Sequence, residues 1–288
     1  MGKQTIRQAL HQLTHNAAHS NTPVLDAQVL LAHIVQKPRA WVLAYPETTL
    51  APQQQKSLRE AAARLQTGTP LPYILGHWEF YGLDFTLSPD VLIPRPETEL
   101  LIEEALQWLQ AHPQKRRAAD SGTGSGCIAI TLAKHISDLH IAASDISPAA
   151  LKIARANAEK HHVAERIEFT HANLLANNLQ STTLDLIAAN LPYIPTQTLH
   201  MLDVYECEPT LALDGGENGL KLIGRALEQA QRNLARGWLM LFEIDSSHGE
   251  RAAELAQHYY PHAKIRILPD LTGRDRLLRI EDILCKPD

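Results

Sequence analysis

Polar and apolar positions alternate along this chain in two different rhythms. From the start to about residue 68 the rhythm is helical. Thr22 and Pro23 supply an N-cap and a first-turn proline, and Val24, Leu30, Leu31, Ile34 and Val35 follow at helical spacing as far as the stop at Lys37 and Pro38. A later helix is predicted from Pro52 to a close at Gly68 and Pro70, with Leu58, Ala61, Ala62 and Leu65 along one side. Between residues 71 and 96 the character changes. Tyr73, Trp78, Phe80, Tyr81 and Phe85 gather there, punctuated by Gly76, Gly82 and Pro89, which predicts a hairpin connector. Beyond it a helix over 97–110 leads into short apolar runs alternating with helical stretches. Strands are predicted at 139–143, 167–170, 184–189, 238–244 and 263–268, and helices near 125–135, 148–160, 219–234 and 249–259. The expected architecture is therefore α/β, with a helical domain at 1–70, a connector at 71–96 and a larger domain at 97–288 built on a mostly parallel sheet.

Composition narrows what such a chain does. With 288 residues and 44% hydrophobic content it can bury one large core and one small one. A net charge of -5 argues against nucleic-acid binding through a broad basic footprint. The one dense basic run, Lys115, Arg116 and Arg117, reads as a solvated loop. Cys127, Cys207 and Cys285 are odd in number and form no C-x-x-C pair, so a reducing compartment is expected and neither a disulfide framework nor a cysteine zinc site is indicated. None of the 15 histidines stands at a metal-ligand spacing. The opening MGKQTIRQALHQL lacks a signal-peptide core, and no apolar run approaches a spanning length. A soluble cytoplasmic protein is the expectation.

Asp120-Ser121-Gly122-Thr123-Gly124-Ser125-Gly126 lies where a first strand, reading Arg117-Ala118-Ala119-Asp120, turns into a helix. Closely spaced glycines allow a tight turn and let backbone amides approach a ligand. A dinucleotide fingerprint would place its third glycine where Cys127 stands. One βαβ step later Asp145 closes the next strand. A carboxylate there can accept both hydroxyls of an adenosine ribose, although alone it would more often cap the helix that begins after Ser147 and Pro148. At the same rim, Asn190-Leu191-Pro192-Tyr193 follows the strand at 184–189. An amide or aromatic amine nitrogen is a poor nucleophile because its lone pair is delocalised. The Asn190 side-chain carbonyl and a neighbouring main-chain carbonyl could accept its two N–H groups, and Tyr193 could pack on the planar group. The bland alternative is an Asx-Pro turn with a core tyrosine.

Several longer segments complete the pattern: PYILGHWEFYGLDFTLSPDVLIPRPETELL at 72–101, GTGSG at 122–126, DISPAAL at 145–151, EPTLALDGGENGL at 208–220 and GRDR at 273–276. With them the chain resembles the release-factor glutamine N5-methyltransferases, the PrmC or HemK family. PRPETE and EP..AL.GG..GL separate this family from other amino-methyltransferases. The resemblance implies a class I methyltransferase fold, Rossmann-like, with S-adenosylmethionine held by Gly122, Thr123, Gly124, Ser125, Gly126, Asp145, Asn173 and Asn190. It implies a catalytic group of Asn190, Leu191, Pro192 and Tyr193 that holds the glutamine of the Gly-Gly-Gln loop in class I peptide chain release factors. It also places Arg95, Pro96, Glu97 and Thr98 near the cofactor, with Glu97 and Glu99 available to support a helix N-terminus. No direct nucleic-acid partner, no membrane and no metal are implied, and a monomer is expected.

The chain departs from the family pattern in places. Leu191 replaces the first proline of N-P-P-Y, Ala172-Asn173-Leu174 replaces a Gly-Asp-Trp type segment, Ser121 replaces a leucine, and EIDSSHG at 243–249 replaces E-I-G-x-x-Q-G. The N-L-P-Y form is shared with rRNA adenine dimethyltransferases. An adenine N6-methyltransferase acting on nucleic acid is thus the alternative enzyme, opposed by the acidic net charge. A cofactor-binding interaction module with impaired catalysis is the alternative from outside the enzymes.

Overall fold

The computed structural model describes residues 4–17, 20–175 and 183–283. Two compact units divide at His77 and Trp78. The first holds α1 (Ile6–Asn16), α2 (Pro23–Val35), α3 (Arg39–Ala44), α4 (Pro52–Gln66) and α5 (Leu71–Leu75). Thr5 caps α1 through a reciprocal box with Gln8. Thr22 occupies the N-cap position of α2 but makes no capping bond, and its hydroxyl instead donates to Asp26 at 3.1 Å. Ile6 and Leu13 of α1, Leu30 and Leu31 of α2 and Leu58 of α4 are fully buried, which explains the helical rhythm. Leu71–Leu75 is helical and ends on Gly76 in the left-handed region, so the connector's first residues are not extended as the sequence suggested. The cause is local: Pro72 is pre-set for a first helical turn, and Gly76 accommodates the left-handed stop.

The chain continues into the expected hairpin, β1 (His77–Phe80) and β2 (Leu83–Thr86). Tyr81 and Gly82 between them both have positive φ, the conformation that two-residue hairpin turns require. There follow α6 (Thr98–Ala111), β3 (Arg117–Ser121), α7 (Cys127–His135), β4 (His140–Asp145), α8 (Pro148–Lys160), β5 (Ile167–His171), β6 (Leu184–Ala189), α9 (Thr196–Leu199), α10 (Lys221–Ala230), β7 (Leu234–Glu243), α11 (Gly249–Tyr259), β8 (Lys264–Pro269) and β9 (Asp275–Glu281). This is a mixed α/β fold with a helical N-terminal region and a β-sheet core.

Seven strands form one sheet in the order β5-β4-β3-β6-β7-β9-β8. The pairs β3–β4, β3–β6, β4–β5 and β6–β7 are parallel, whereas β9 runs antiparallel to both β7 and β8. Strand order reverses between β3 and β6. Loops leaving the carboxyl ends of these two strands diverge around a crevice, the place where open α/β sheets bind ligands. All six residues of β6 are buried, five of them apolar and the sixth, Asp185, paired with Lys115.

Two further expectations need correction. The helix expected over 219–234 ends at Ala230, and Leu234 already begins β7. Trp238 to Phe242 are buried, and that run masks the more polar start of the strand. The basic run at 115–117 is also not a solvated loop throughout. Lys115 pairs with Asp185 at 3.1 Å, Arg116 pairs with Asp138 at 2.7 Å, and Arg117 starts β3. Arg116 additionally donates to the carbonyls of Leu109, His112 and Lys115, which ties the end of α6 to the sheet.

Candidate functional site

The glycine loop leaves β3 at Ser121, and Gly122, Gly124 and Gly126 all have positive φ. Gly122 and Thr123 both donate to the Ser144 carbonyl, at 2.8 and 2.9 Å, so the turn is pinned to the neighbouring strand β4. A side chain at Gly126 would stand 2.7 Å from Ile130 and 3.3 Å from Ala154, whereas one at Gly124 would project into open space. Gly126 thus serves packing of the helices, and Gly124 leaves room beside the cavity.

Below the loop, Asp120 accepts from the Thr123 hydroxyl at 2.6 Å and from the Ala129 amide at 3.1 Å, both at Oδ2, and its Oδ1 has no partner. Burial pushes its carboxyl up to about 7 against the pull of those two donors, and Asp145 adds a smaller push in the same direction. At the end of β4, Asp145 accepts from the Gly124 amide at 2.9 Å and from the Ser147 amide at 2.8 Å. The N-cap of α8 is Ser147, whose hydroxyl accepts from Ala150. Asp145 is therefore not the cap, and it spans the loop and the cavity wall.

A cavity of about 330 Å³ opens at this rim. Of the cofactor residues named from sequence, Gly122, Thr123, Gly124, Ser125, Asp145, Asn173 and Asn190 line it, together with Leu191 and Pro192. Gly126 and Tyr193 do not. The sequence reading did not single out Val91, Pro94 or Cys127, nor Leu211, Leu222 and Arg225 from the far side, all of which contribute to the wall. Burial pushes the Cys127 thiol up to about 12, so this residue is a neutral wall group.

Asn190 stands just past the end of β6, and its Nδ2 donates to the Thr98 hydroxyl at 3.0 Å. Thr98 donates in turn to Glu243 Oε2 at 2.6 Å, and the Tyr193 hydroxyl donates to Glu243 Oε1 at 3.2 Å. Thr98 and Glu243 are each 1% exposed. Burial raises the Glu243 carboxyl, while the Thr98 and Tyr193 hydroxyls and the Arg276 charge hold it down. Burial and Glu243 together push the Tyr193 phenol well above its ordinary range. Leu191 is 2% exposed and sits in the core with Leu174, Leu220 and Ile223.

The distinctive segments meet the tetrapeptide directly. A side chain at Gly215 would stand 2.7 Å from the Tyr193 backbone, and Gly215 donates to the Ile194 carbonyl at 2.8 Å. Gly219 has a φ of 73°, and a side chain there would collide with both the Tyr193 carbonyl and His248. Glu208 is buried, accepts from the Ile93 amide at 3.1 Å and pairs with Arg95, so the EP segment is bolted to the PRPETE segment. Glu99 accepts from the Tyr81 amide at 3.1 Å, and neither it nor Glu97 caps α6 by a side-chain bond. Among the described residues no group of His, Cys, Asp or Glu could hold a metal ion.

Comparison with known proteins places these features in a family. Residues 4–76 match the PrmC N-terminal domain, and residues 97–204 match the methyltransferase small domain. A release factor glutamine methyltransferase from Moorella thermoacetica is 40% identical over 94% of this chain and 96% of its own length. The protein of the same name from Koribacter versatilis is 39% identical over 96% of both chains. Among solved structures, the hMettl16 catalytic domain in complex with MAT2A 3'UTR hairpin 6 is 13% identical with a TM-score of 0.55, covering 81% of this chain and 84% of that one, a likeness that speaks to the fold alone. With its glycine loop, its Asn190 tetrapeptide and its match to these relatives over nearly its whole length, the chain belongs to the release factor glutamine methyltransferase family.

Proposed function

We propose that this protein transfers the methyl group of S-adenosylmethionine to the side-chain amide nitrogen, N5, of the glutamine in the Gly-Gly-Gln loop of class I peptide chain release factors. Family membership supports the activity. The single observation that carries the assignment of residues is that Asn190 lines the cavity while its Nδ2 is committed to Thr98. That leaves its Oδ1 as the group to accept an N–H from the substrate.

The residues present fit the cofactor. Open space beside Gly124, the Asp145 carboxylate on the wall and the crevice at the strand-order reversal all suit an adenosyl group, and the fold reads as the Rossmann-like class I type. S-adenosylmethionine supplies, when bound, an electrophilic methyl on a sulfonium. Gly122 to Ser125 would hold its amino-acid portion, Asp145 the ribose hydroxyls, and Asn173 the adenine side. The Asn190 Oδ1 and the Leu191 main-chain carbonyl would each accept one N–H of the glutamine amide. Two acceptors fix the nitrogen's direction and stabilise the positive charge that grows on it. Tyr193 would face the planar amide with its hydroxyl anchored on Glu243. Pro192 would keep the turn stiff.

The helical unit would dock the body of the release factor, so that contacts remote from the reacting nitrogen deliver the loop. We place the protein in the cytoplasm as a monomer. Among the described residues no helix is long and apolar enough to cross a membrane. The deciding experiment is incubation of purified release factor with the protein and S-adenosylmethionine, followed by mass spectrometry of the glutamine-bearing peptide. Addition of one methyl group, abolished when that glutamine is replaced, is expected. Methylation of an RNA adenine with none on release factor would favour the alternative enzyme.

A further inference from the structure

Asn190 carries an amide whose two ends are alike in shape and opposite in hydrogen bonding. Only one orientation suits a substrate that offers N–H groups, because a flipped Asn190 would oppose donor to donor. Nothing in the tetrapeptide itself selects that orientation. The selection comes from residues far away in sequence. Thr98 has a single hydroxyl hydrogen, and the buried Glu243 carboxylate takes it at 2.6 Å. Having donated, the Thr98 oxygen can only accept. Its neighbour at 3.0 Å must then be the Asn190 NH2 and not the carbonyl oxygen. The same carboxylate takes the Tyr193 hydroxyl on its other oxygen. Because Thr98 and Glu243 are both buried, water does not substitute for either. Thr98 lies 92 residues from Asn190 and 145 from Glu243, so the PRPETE segment, the tetrapeptide and the segment that begins EIDSS converge on one chain of hydrogen bonds.

We propose that Thr98 and Glu243 are positioning residues that lock the Asn190 side chain with its NH2 turned inward and its carbonyl oxygen turned to the substrate amide. The proposal rests on the reading of Asn190 as substrate acceptor. It assigns the buried carboxylate a purpose that requires no contact with substrate or cofactor. The lock depends on Glu243 being an acceptor only. A protonated Glu243 would donate to Thr98, release the threonine hydrogen toward Asn190 and admit the flipped amide. Burial raises the Glu243 carboxyl and so favours that protonation, while the Thr98 and Tyr193 hydroxyls and the Arg276 charge oppose it.

Measurements on the full-length protein test the lock. In wild type, the Asn190 side-chain NH2, observed by 15N NMR, should exchange with water far more slowly than those of exposed asparagines. Fast exchange would overturn the inference without any substitution. Thr98→Val keeps the shape and removes the hydroxyl. Its kcat should fall by about 10- to 100-fold, by analogy with outer-shell groups that orient a ligating side chain, with KM and cofactor affinity little changed. Thr98→Ser should restore kcat to within about threefold of wild type, since serine supplies the same single donor. A valine variant with normal kcat, or a folded serine variant as slow as valine, would sink the proposal. Glu243→Gln, which replaces the obligate acceptor with an amide of either orientation, should lower kcat and quicken exchange of the Asn190 NH2, and unchanged values would remove Glu243 from the lock. Asn190→Ala in the same assay separates the two readings. If it stays active, the acceptor reading has failed. If it is inactive while Thr98→Val is normal, only the lock has failed.

Discussion

The two halves of the rim cavity are made of different material. The cofactor half is mainly backbone: three glycines at positive φ, loop amides donating to the Ser144 carbonyl and to Asp145, and side-chain partners such as Asn157 and Ser125 no more than 32 residues apart. The acceptor half is a chain of side chains, Asn190 to Thr98 to Glu243 to Tyr193, drawn from three segments separated by as many as 145 residues. A backbone site tolerates exchange of side chains so long as the turn survives, whereas a side-chain relay fails when one link changes its hydrogen-bonding character. The departures from the family pattern fall on both halves: Ser121 and the 172–174 segment alter what surrounds the cofactor half, and Leu191 and the stretch after Glu243 lie on the acceptor side, where Asn190, Tyr193, Thr98 and Glu243 are nonetheless in place.

The largest expected effect tests how hard the cofactor half is strained before any ligand arrives. Asp120 is fully buried and its carboxyl is raised from 3.8 to about 7. The unfolded chain therefore releases this proton at lower pH than the folded one. Between those values the folded state binds more protons, so stability falls as pH rises, and the cost is complete above about 7. Asp120→Asn should remove that dependence. Its stability relative to wild type should grow by about 1.4 kcal/mol per pH unit at most across the window, about 4 kcal/mol in total, and then level off. Denaturant melts of both proteins at several pH values would show it. A difference that is flat with pH would mean that Asp120 titrates normally.

On the acceptor half, Asn190→Ala removes an acceptor whose contact strengthens as charge develops on nitrogen. We expect kcat to fall by the equivalent of about 2.7 to 4 kcal/mol, in line with loss of one preorganised hydrogen-bonding group elsewhere. Cofactor affinity should be less affected than turnover. Single-turnover methylation of release factor, read by mass spectrometry, gives the rate. A near-normal rate would rule out the acceptor pair.

The difference between the halves also explains what could be read from sequence. A glycine-rich turn after a strand and an acidic residue at the end of the next strand are local signals, and the structure puts those residues on one cavity, Gly126 excepted. The hydrogen bonds that link Asn190, Thr98, Glu243 and Tyr193 have no local signature. Their residues were legible as parts of distinctive segments but not as partners. β9 escaped notice for a related reason. Its sequence, DRLLRIE, mixes charged and apolar residues, and its charges are neutralised by contacts distant in sequence, such as Arg279 with Glu104 at 3.2 Å. An inserted antiparallel strand of this kind reads as a tail until its partners are known.

A smaller effect probes the cofactor half by side chain. Asp145 accepts two backbone amides, yet each carboxylate oxygen keeps a further lone pair for a ribose hydroxyl. Asp145→Ala should weaken S-adenosylmethionine binding by about 1.5 to 3 kcal/mol, the range for charge-assisted hydrogen bonds. The alanine also unties Gly124, so Asp145→Asn is the companion variant: it keeps one acceptor for that amide and loses charge, and should fall between alanine and wild type. Calorimetry with unchanged affinity for both would refute the ribose assignment.

The smallest effect is expected where the sequence departs most visibly, at Leu191. If the acceptor at this position is the main-chain carbonyl, leucine and proline supply it equally, and the side chain matters only for packing. Leu191 is buried in the core, with Cδ2 3.0 Å from where a Gly122 side chain would begin. Proline retains most of that apolar volume, and the loss of about one buried methylene corresponds to about 0.8 kcal/mol. Conformation poses little obstacle, because Leu191 already precedes Pro192 and is held to the extended or polyproline region that borders proline's own φ. Leu191→Pro should therefore lower the melting temperature by a few degrees at most and leave methylation of release factor within about threefold of wild type. Leu191→Ala should be the less stable of the two, since it opens a cavity between the glycine loop and the core, at about 2 kcal/mol or more. If Leu191→Pro folds, binds S-adenosylmethionine normally and yet fails to turn over, the leucine side chain itself shapes the acceptor half, and the division between a backbone half and a side-chain half would have to be redrawn through this residue.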